Sequence, residues 1–234
     1  MKKRQSYYFQ TDLIIIFILF VCVSLLSIYN AQQMDQYGND FVWKQIVWFT
    51  VGVLLVAAIQ YFDLEQLYKS SLYIYITGIA VLILLLISPE SIAEPVNGAK
   101  SWFTLPGLSL QPAEFTKITT ILYMAKVITR HKAKYEISNI KTDTVLLIKI
   151  LVVTAIPVLL ILQQPDFGTS MVYLFIAGMM IILSGISWKI ITSLIVIISA
   201  GIAAVLTFII KFPDFVKELV GPGRAYQIDR ILTW

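Results

Sequence analysis

Six long apolar runs, at about residues 13–29, 43–61, 72–88, 145–163, 167–185 and 190–211, constrain this chain more than any motif does. Crossing a hydrocarbon core of about 30 Å takes roughly 20 apolar residues in helical form. Within lipid a segment must satisfy its own backbone hydrogen bonds, so such spans are helices. A seventh, more polar stretch opens at LQPAEFTKITTILYM (110–124) and continues to about Thr129. The expectation is an all-α polytopic membrane protein, a helical bundle of about seven transmembrane helices. Composition agrees, since 58% hydrophobic residues, 14% charged residues and a mean hydropathy of +0.81 lie well outside the about 45–50% apolar usage of soluble domains.

The first run follows a basic head, MKKRQSYYFQTD before LIIIFILFVCVSLLSIY. That order also describes a secretory signal, but the apolar part is longer than such a signal carries and further spans follow, so it reads as an uncleaved helix. Lys2, Lys3 and Arg4 place the N-terminus on the cytoplasmic side, because cytoplasmic loops are rich in Lys and Arg. Alternation then puts Lys69, the Arg130, Lys132, Lys134 and Lys141 loop, and Lys189 inside as well. The outer segments 30–42 and 88–110 carry Lys100 as their one cation. The net charge of +4 therefore suits anionic membrane lipids rather than nucleic acid. Cys22 is alone and lies in the first run, so no disulfide framework or thiolate metal site forms within the chain. His131, in RHKAK, has no His or Cys near it and is expected to be a solvated side chain rather than a ligand.

No repeat, low-complexity segment or soluble insertion interrupts the pattern, so residues 1–234 read as a single transmembrane domain with external loops at about 30–42, 88–110 and 212–234. SPESIAEPVNGAKSWFTLPGLSLQP (88–112) is too long for a simple connector and holds Trp102 and Phe103, which suit either an interfacial anchor or a site. KFPDFVKELVGPGRAYQIDRILTW (211–234) places Lys211, Lys217, Arg224 and Arg230 on the side that should be poor in cations. A phosphate or pyrophosphate group would give those cations a purpose.

Ionisable groups within a bilayer cost at least about 2.5–3.5 kcal/mol each and mark candidate sites. Pro112 suits the first turn of a helix, Glu114 falls where the helix dipole favours a carboxylate, and Lys117 follows on the same face. The pair either neutralises itself so that a polar helix can insert, or faces a cavity and orients a bound headgroup. In LILQQPDFGTSMVYLF (160–175), Gln163, Gln164 and Asp166 interrupt two apolar runs. Asp166 reads as a helix N-cap, with a cavity-lining role as the alternative. No phosphate loop, metal-ligand spacing or nucleophile elbow occurs.

Three segments, NGAKSWFTLPGLSLQPAEFTK (97–117), QQPDFGTSMV (163–172) and AYQIDRILTW (225–234), together resemble the SEDS family (shape, elongation, division and sporulation), which includes RodA, FtsW and SpoVE. The opening YYFQTDL and the SGISWK turn look most like RodA-type proteins of Gram-positive rods. The resemblance covers essentially the whole chain. It matches Asn97, Gly98, Ala99, Trp102, Gln111, Pro112, Glu114 and Lys117 in the first block, and Pro165, Asp166 and Gly168 in the second. Tyr226, Gln227, Arg230 and Trp234 match the start of a large external loop. Ala113 stands where the family usually has Ser.

The resemblance implies a peptidoglycan glycosyltransferase of the bacterial cytoplasmic membrane, polymerising lipid II beside a class B penicillin-binding protein. A sugar hydroxyl of one lipid-linked unit attacks the anomeric carbon of the other, an Asp takes the proton, and undecaprenyl pyrophosphate leaves. Asn97, Lys100, Trp102, Gln111, Glu114, Lys117, Asp166, Arg224, Gln227 and Arg230 are the substrate-binding or cavity-lining candidates. Gly98, Ala99, Pro112, Pro165 and Gly168 shape the motifs. A divalent cation is the one cofactor the resemblance admits. Family members have about ten spans of the roughly 20-residue kind, and their catalytic Asp lies past the position of Trp234. This chain is therefore expected to be a C-terminally partial member that is inactive alone, with no catalytic residue assigned. Asp214 and Asp229 do not occupy the matching position. A flippase for lipid-linked precursors and a membrane scaffold for penicillin-binding proteins are the competing readings.

Overall fold

Each apolar run becomes a helix. The computed structural model describes residues 11–33, 41–95, 98–105, 108–135 and 139–220. Helices α1 (Thr11–Gln32), α2 (Phe41–Ile59) and α3 (Leu64–Ile87) are followed by strands β1 (Phe103–Leu105) and β2 (Leu108–Leu110). Then come α4 (Pro112–Lys134), α5 (Ile140–Gln163), α6 (Phe167–Leu183), α7 (Trp188–Lys211) and α8 (Pro213–Val220). Five of these, α1, α2, α3, α5 and α7, are long and apolar enough to cross a membrane, while α6 is apolar but has 17 residues. With α4 they account for all seven expected spans, and the chain is a multi-pass helical membrane protein.

Two elements differ from the expected loops. Residues 103–110 form an antiparallel hairpin, with Phe103 opposite Leu110 and Thr104 opposite Ser109. The start of the 212–234 segment is the short helix α8, whose Val216 is buried with Ile209 of α7. Phe208 packs against Phe212 and Phe215 at centroid distances of 5.3 and 6.2 Å. Proline at the first helical position and an aromatic cluster folding back on the preceding helix explain why this stretch does not remain a loop.

The chain divides into two compact units, 1–114 and 115–234. In the first, α1 and α2 pair: Phe17 and Phe49 meet edge to face at 6.2 Å, the Gln45 amide donates to Ser24 Oγ at 3.3 Å, and the Val42 N–H donates to Gln32 Oε1 at 3.2 Å. Neither helix buries a residue, and side chains such as Phe20 and Leu54 stand 69% and 64% exposed. Apolar surface on that scale suits lipid or the faces of further apolar helices rather than water.

The second unit has its core between α5 and α6, which pack along their lengths. On α5 the buried positions Asp143, Leu146, Leu147, Ile150, Val153, Thr154, Pro157, Val158 and Ile161 repeat at three and four residues, and α6 answers with Ser170, Tyr173, Ala177 and Ile181. This is the single-face periodicity of helices that bury one stripe and offer the rest to the bilayer. Helix α4 continues into this unit with a stripe of Thr116, Thr120, Met124 and His131. The Thr120 hydroxyl donates to Thr116 O at 2.7 Å, and the Thr154 hydroxyl to Ile150 O at 2.9 Å, so these buried hydroxyls are satisfied within their own helices.

Candidate functional site

In the first unit, the segment between α3 and α4 is tied down at several points. Helix α3 ends at an extended Ser88, whose N–H donates to Leu85 O and whose hydroxyl donates to Leu84 O at 2.7 Å. Lys100 reaches back across the segment, its ammonium donating to Leu86 O at 3.2 Å and also to Ser88 O. Thr104 donates through its N–H and its hydroxyl to Ile92 O at 2.8 and 3.2 Å. Gly98 is exposed with φ +80°, a backbone state that glycine adopts without a Cβ penalty. Ala99 and Trp102 are half-buried, and Ser101 is buried.

Strand β2 leads through half-buried Gln111 into buried Pro112 and Ala113. The Gln111 carbonyl accepts the Glu114 N–H at 3.1 Å, which closes the first turn of α4. Glu114 itself is exposed. The sequence reading of Pro112 as the helix opener and Glu114 as a first-turn carboxylate matches this geometry. Lys117, half-buried, follows in the second unit.

Asp166 caps α6, as the sequence reading expected. Its Oδ1 accepts the Thr169 N–H at 3.0 Å, and its Oδ2 accepts the Thr169 hydroxyl at 2.7 Å. The preceding Gln164 is a buried C-cap of α5, and Pro165 and Gly168 are exposed. Asn97, Arg224, Tyr226, Gln227, Arg230 and Trp234 lie outside the described residues.

Sequence reasoning missed a polar junction at the other end of the second unit. His131, expected to be solvated, is 5% exposed. Its Nε2 lies 2.9 Å from the Thr142 carbonyl and its Nδ1 lies 3.2 Å from Lys149 Nζ. A carbonyl can only accept and an ammonium can only donate, so the ring is the neutral tautomer with its proton on Nε2. This side chain lies beyond the end of the polar span near Thr129, and burial and then the Lys149 ammonium lower its pKa below 6.5, against the raising effects of Thr142 and Asp143. Asp143 is buried, and its Oδ2 accepts the Ser187 N–H at 2.9 Å, joining α5 to the N-cap of α7. The partners are 11 to 44 residues apart in sequence, and no local pattern announces them. The N-cap Asn139, accepting from Thr142 N–H at 2.9 Å, is the one local signal nearby.

Among the described residues, no three His, Cys, Asp or Glu side chains converge. The described residues therefore offer no clustered carboxylate set of the kind a divalent cation takes.

The family model of the cell cycle proteins FtsW, RodA and SpoVE matches residues 4–234. A probable peptidoglycan glycosyltransferase FtsW of Methylomonas methanica is 29% identical over 86% of this chain and 52% of its own length. The peptidoglycan glycosyltransferase RodA of Treponema pallidum is 33% identical over 66% of this chain and 33% of its own length. The crystal structure of Thermus thermophilus RodA superposes with a TM-score of 0.58 at 24% identity, over 75% of this chain and 55% of that one. A chain of a peptidoglycan synthase complex that coordinates polymerisation and crosslinking gives 0.72 at 23% identity, over 97% and 59%. The chain thus spans about half the length of the first curated relative it matches, and a third of the second. It carries the fold of these proteins and belongs to the FtsW, RodA and SpoVE family of cell cycle proteins, the SEDS family.

Proposed function

We propose that this chain forms part of a peptidoglycan glycosyltransferase that takes lipid II as substrate in the bacterial cytoplasmic membrane, with its N-terminus inside and the 88–112 segment outside. The observation that carries the reading is the family match over residues 4–234, together with relatives named as peptidoglycan glycosyltransferases. Physical chemistry supports it. Helices such as α1, α2 and α7 present apolar flanks to the bilayer, where a polyprenyl tail can approach laterally. The hairpin pairs Phe103 with Leu110, so the flanking Trp102 and Gln111 fall at its same end, and Glu114 follows in the first turn of α4 within the same unit, a polar and aromatic lip suited to a sugar headgroup.

The reaction joins a sugar hydroxyl to the anomeric carbon of a second unit and expels undecaprenyl pyrophosphate. Asp166 is not proposed as the base, because both its oxygens accept from Thr169. The Arg224 and Arg230 side chains are the candidates for the pyrophosphate, and a class B penicillin-binding protein is the partner that would crosslink the product.

Binding of lipid II to the purified chain in lipid nanodiscs, followed by native mass spectrometry, tests the reading. Saturable binding that unlabelled lipid II competes away and phosphatidylglycerol does not is the expected result. Binding indistinguishable from that of phosphatidylglycerol would overturn it.

A further inference from the structure

We propose that Lys100 is a positioning residue, whose ammonium caps the C-terminus of α3 and so holds the β1–β2 hairpin and the turn that opens α4. The inference concerns the placement of this segment and stands whether or not the chain binds lipid II.

A helix leaves its last four carbonyls without intrahelical donors. At the end of α3 the carbonyls of Leu84 and Leu85 are taken by the hydroxyl and N–H of Ser88. Pro89 follows and has no N–H to give. The Leu86 carbonyl and that of Ser88 itself are taken by Lys100 Nζ, from 14 and 12 residues downstream. Carbonyl oxygens at this end carry the negative pole of the helix dipole, so a cation serves better there than a neutral donor.

What Lys100 holds follows from the chain's path. Three residues on, β1 begins, and its Thr104 is fastened to Ile92 O. Strand β1 pairs with β2, β2 ends at Leu110, and the Gln111 carbonyl starts α4 by accepting the Glu114 N–H. Lys100 is therefore the tie between a long, apolar helix and the hairpin from which Gln111 and Glu114 are hung. Two of its three N–H donors are engaged by main-chain oxygens. An outer cation that the resemblance offers as a substrate-binding or cavity-lining candidate is thus committed to the fold.

Hydrogen–deuterium exchange of the full chain in nanodiscs tests this with Lys100→Met, which keeps the apolar stem and removes the donors, and Lys100→Arg, which keeps charge and donors. In Lys100→Met, peptides covering 88–105 should exchange at least about tenfold faster, while α1–α2 peptides are unchanged. Lys100→Arg should stay within about twofold of wild type. Unchanged exchange in Lys100→Met, or equal loosening in Lys100→Arg, overturns the proposal. Should Lys100→Met not fold, amine labelling of the wild-type chain decides: Lys100 should react at least about tenfold more slowly than exposed Lys141, with or without inorganic pyrophosphate. Equal reactivity, or slowing that appears only with pyrophosphate, would sink the assignment.

Discussion

Lys149 Nζ lies 3.2 Å from His131 Nδ1, an ammonium donating to the lone pair of a neutral imidazole that carries its proton on the opposite nitrogen. Protonating the ring would place a second positive charge against the first.

The pH dependence follows from that arrangement. The folded-state pKa of His131 is held below the ordinary 6.5, so the unfolded chain binds the proton more readily. Above about pH 7 the ring is neutral in both states and the stability of the junction is complete. As pH falls through 6.5 and down to the folded-state pKa, stability is lost. His131 is the one histidine in the chain, so thermal unfolding in nanodiscs should show a midpoint that drops between pH 7.5 and pH 5.5, and His131→Gln should flatten that drop. A wild-type midpoint independent of pH in this window counts against the neutral-ring assignment.

Asp143 should matter to stability and not to surface charge alone. Its carboxylate is buried and receives the Ser187 N–H at 2.9 Å. Asp143→Ala leaves that donor without its acceptor and should cost about 1.5–3 kcal/mol, the worth of a hydrogen bond to a charged group. Asp143→Asn, which keeps an acceptor, should recover part of it. Chemical denaturation of the two variants measures the difference.

At the start of α6 the question is whether Asp166 acts as a cap or as a binding group. Both its oxygens meet Thr169. Asp166→Ala should lower stability by about 1 kcal/mol, and Asp166→Asn, which caps equally well, should restore it. Lipid II binding that fails in Asp166→Asn while stability is intact would give the carboxylate a second role.

Gly185 has φ +68°, and a Cβ built there would meet Lys132 Nζ at 2.7 Å. The ammonium is the far end of a flexible side chain and can move aside, whereas the backbone cannot escape its left-handed state. Gly185→Ala should therefore cost about 1 kcal/mol, and adding Lys132→Ala should not restore it. Full recovery in the double variant would show the penalty to be steric.

Much of this fold was legible from local chemistry. The span boundaries agree with the helices to within a few residues at most ends because hydropathy over roughly 20 residues is a strong signal. Asp166 as a cap and Pro112 as a helix opener were legible for a different reason, since each acts on residues within one turn. Lys100, His131, Asp143 and Lys149 were not, because their partners lie 11 to 44 residues away and become neighbours after helices pack. His131 was misread in an instructive way. A histidine in a basic run looks solvated, yet it shares a helical face with Met124 and Thr120, on the stripe that α4 buries. The hairpin was hidden because its strands are three residues long and carry little periodicity to read.

The buried threonines of α4 and α5 have a consequence for the order of assembly. Thr120 and Thr154 bond to carbonyls one turn back in their own helices, so each helix can enter lipid with those hydroxyls already satisfied and surrenders nothing when the two meet. Lys149 and His131 are different, since each meets the other across two helices. One end of the pair is thus complete on insertion, while the other gains its bonds by association, which gives two independently inserted helices a reason to meet in one register.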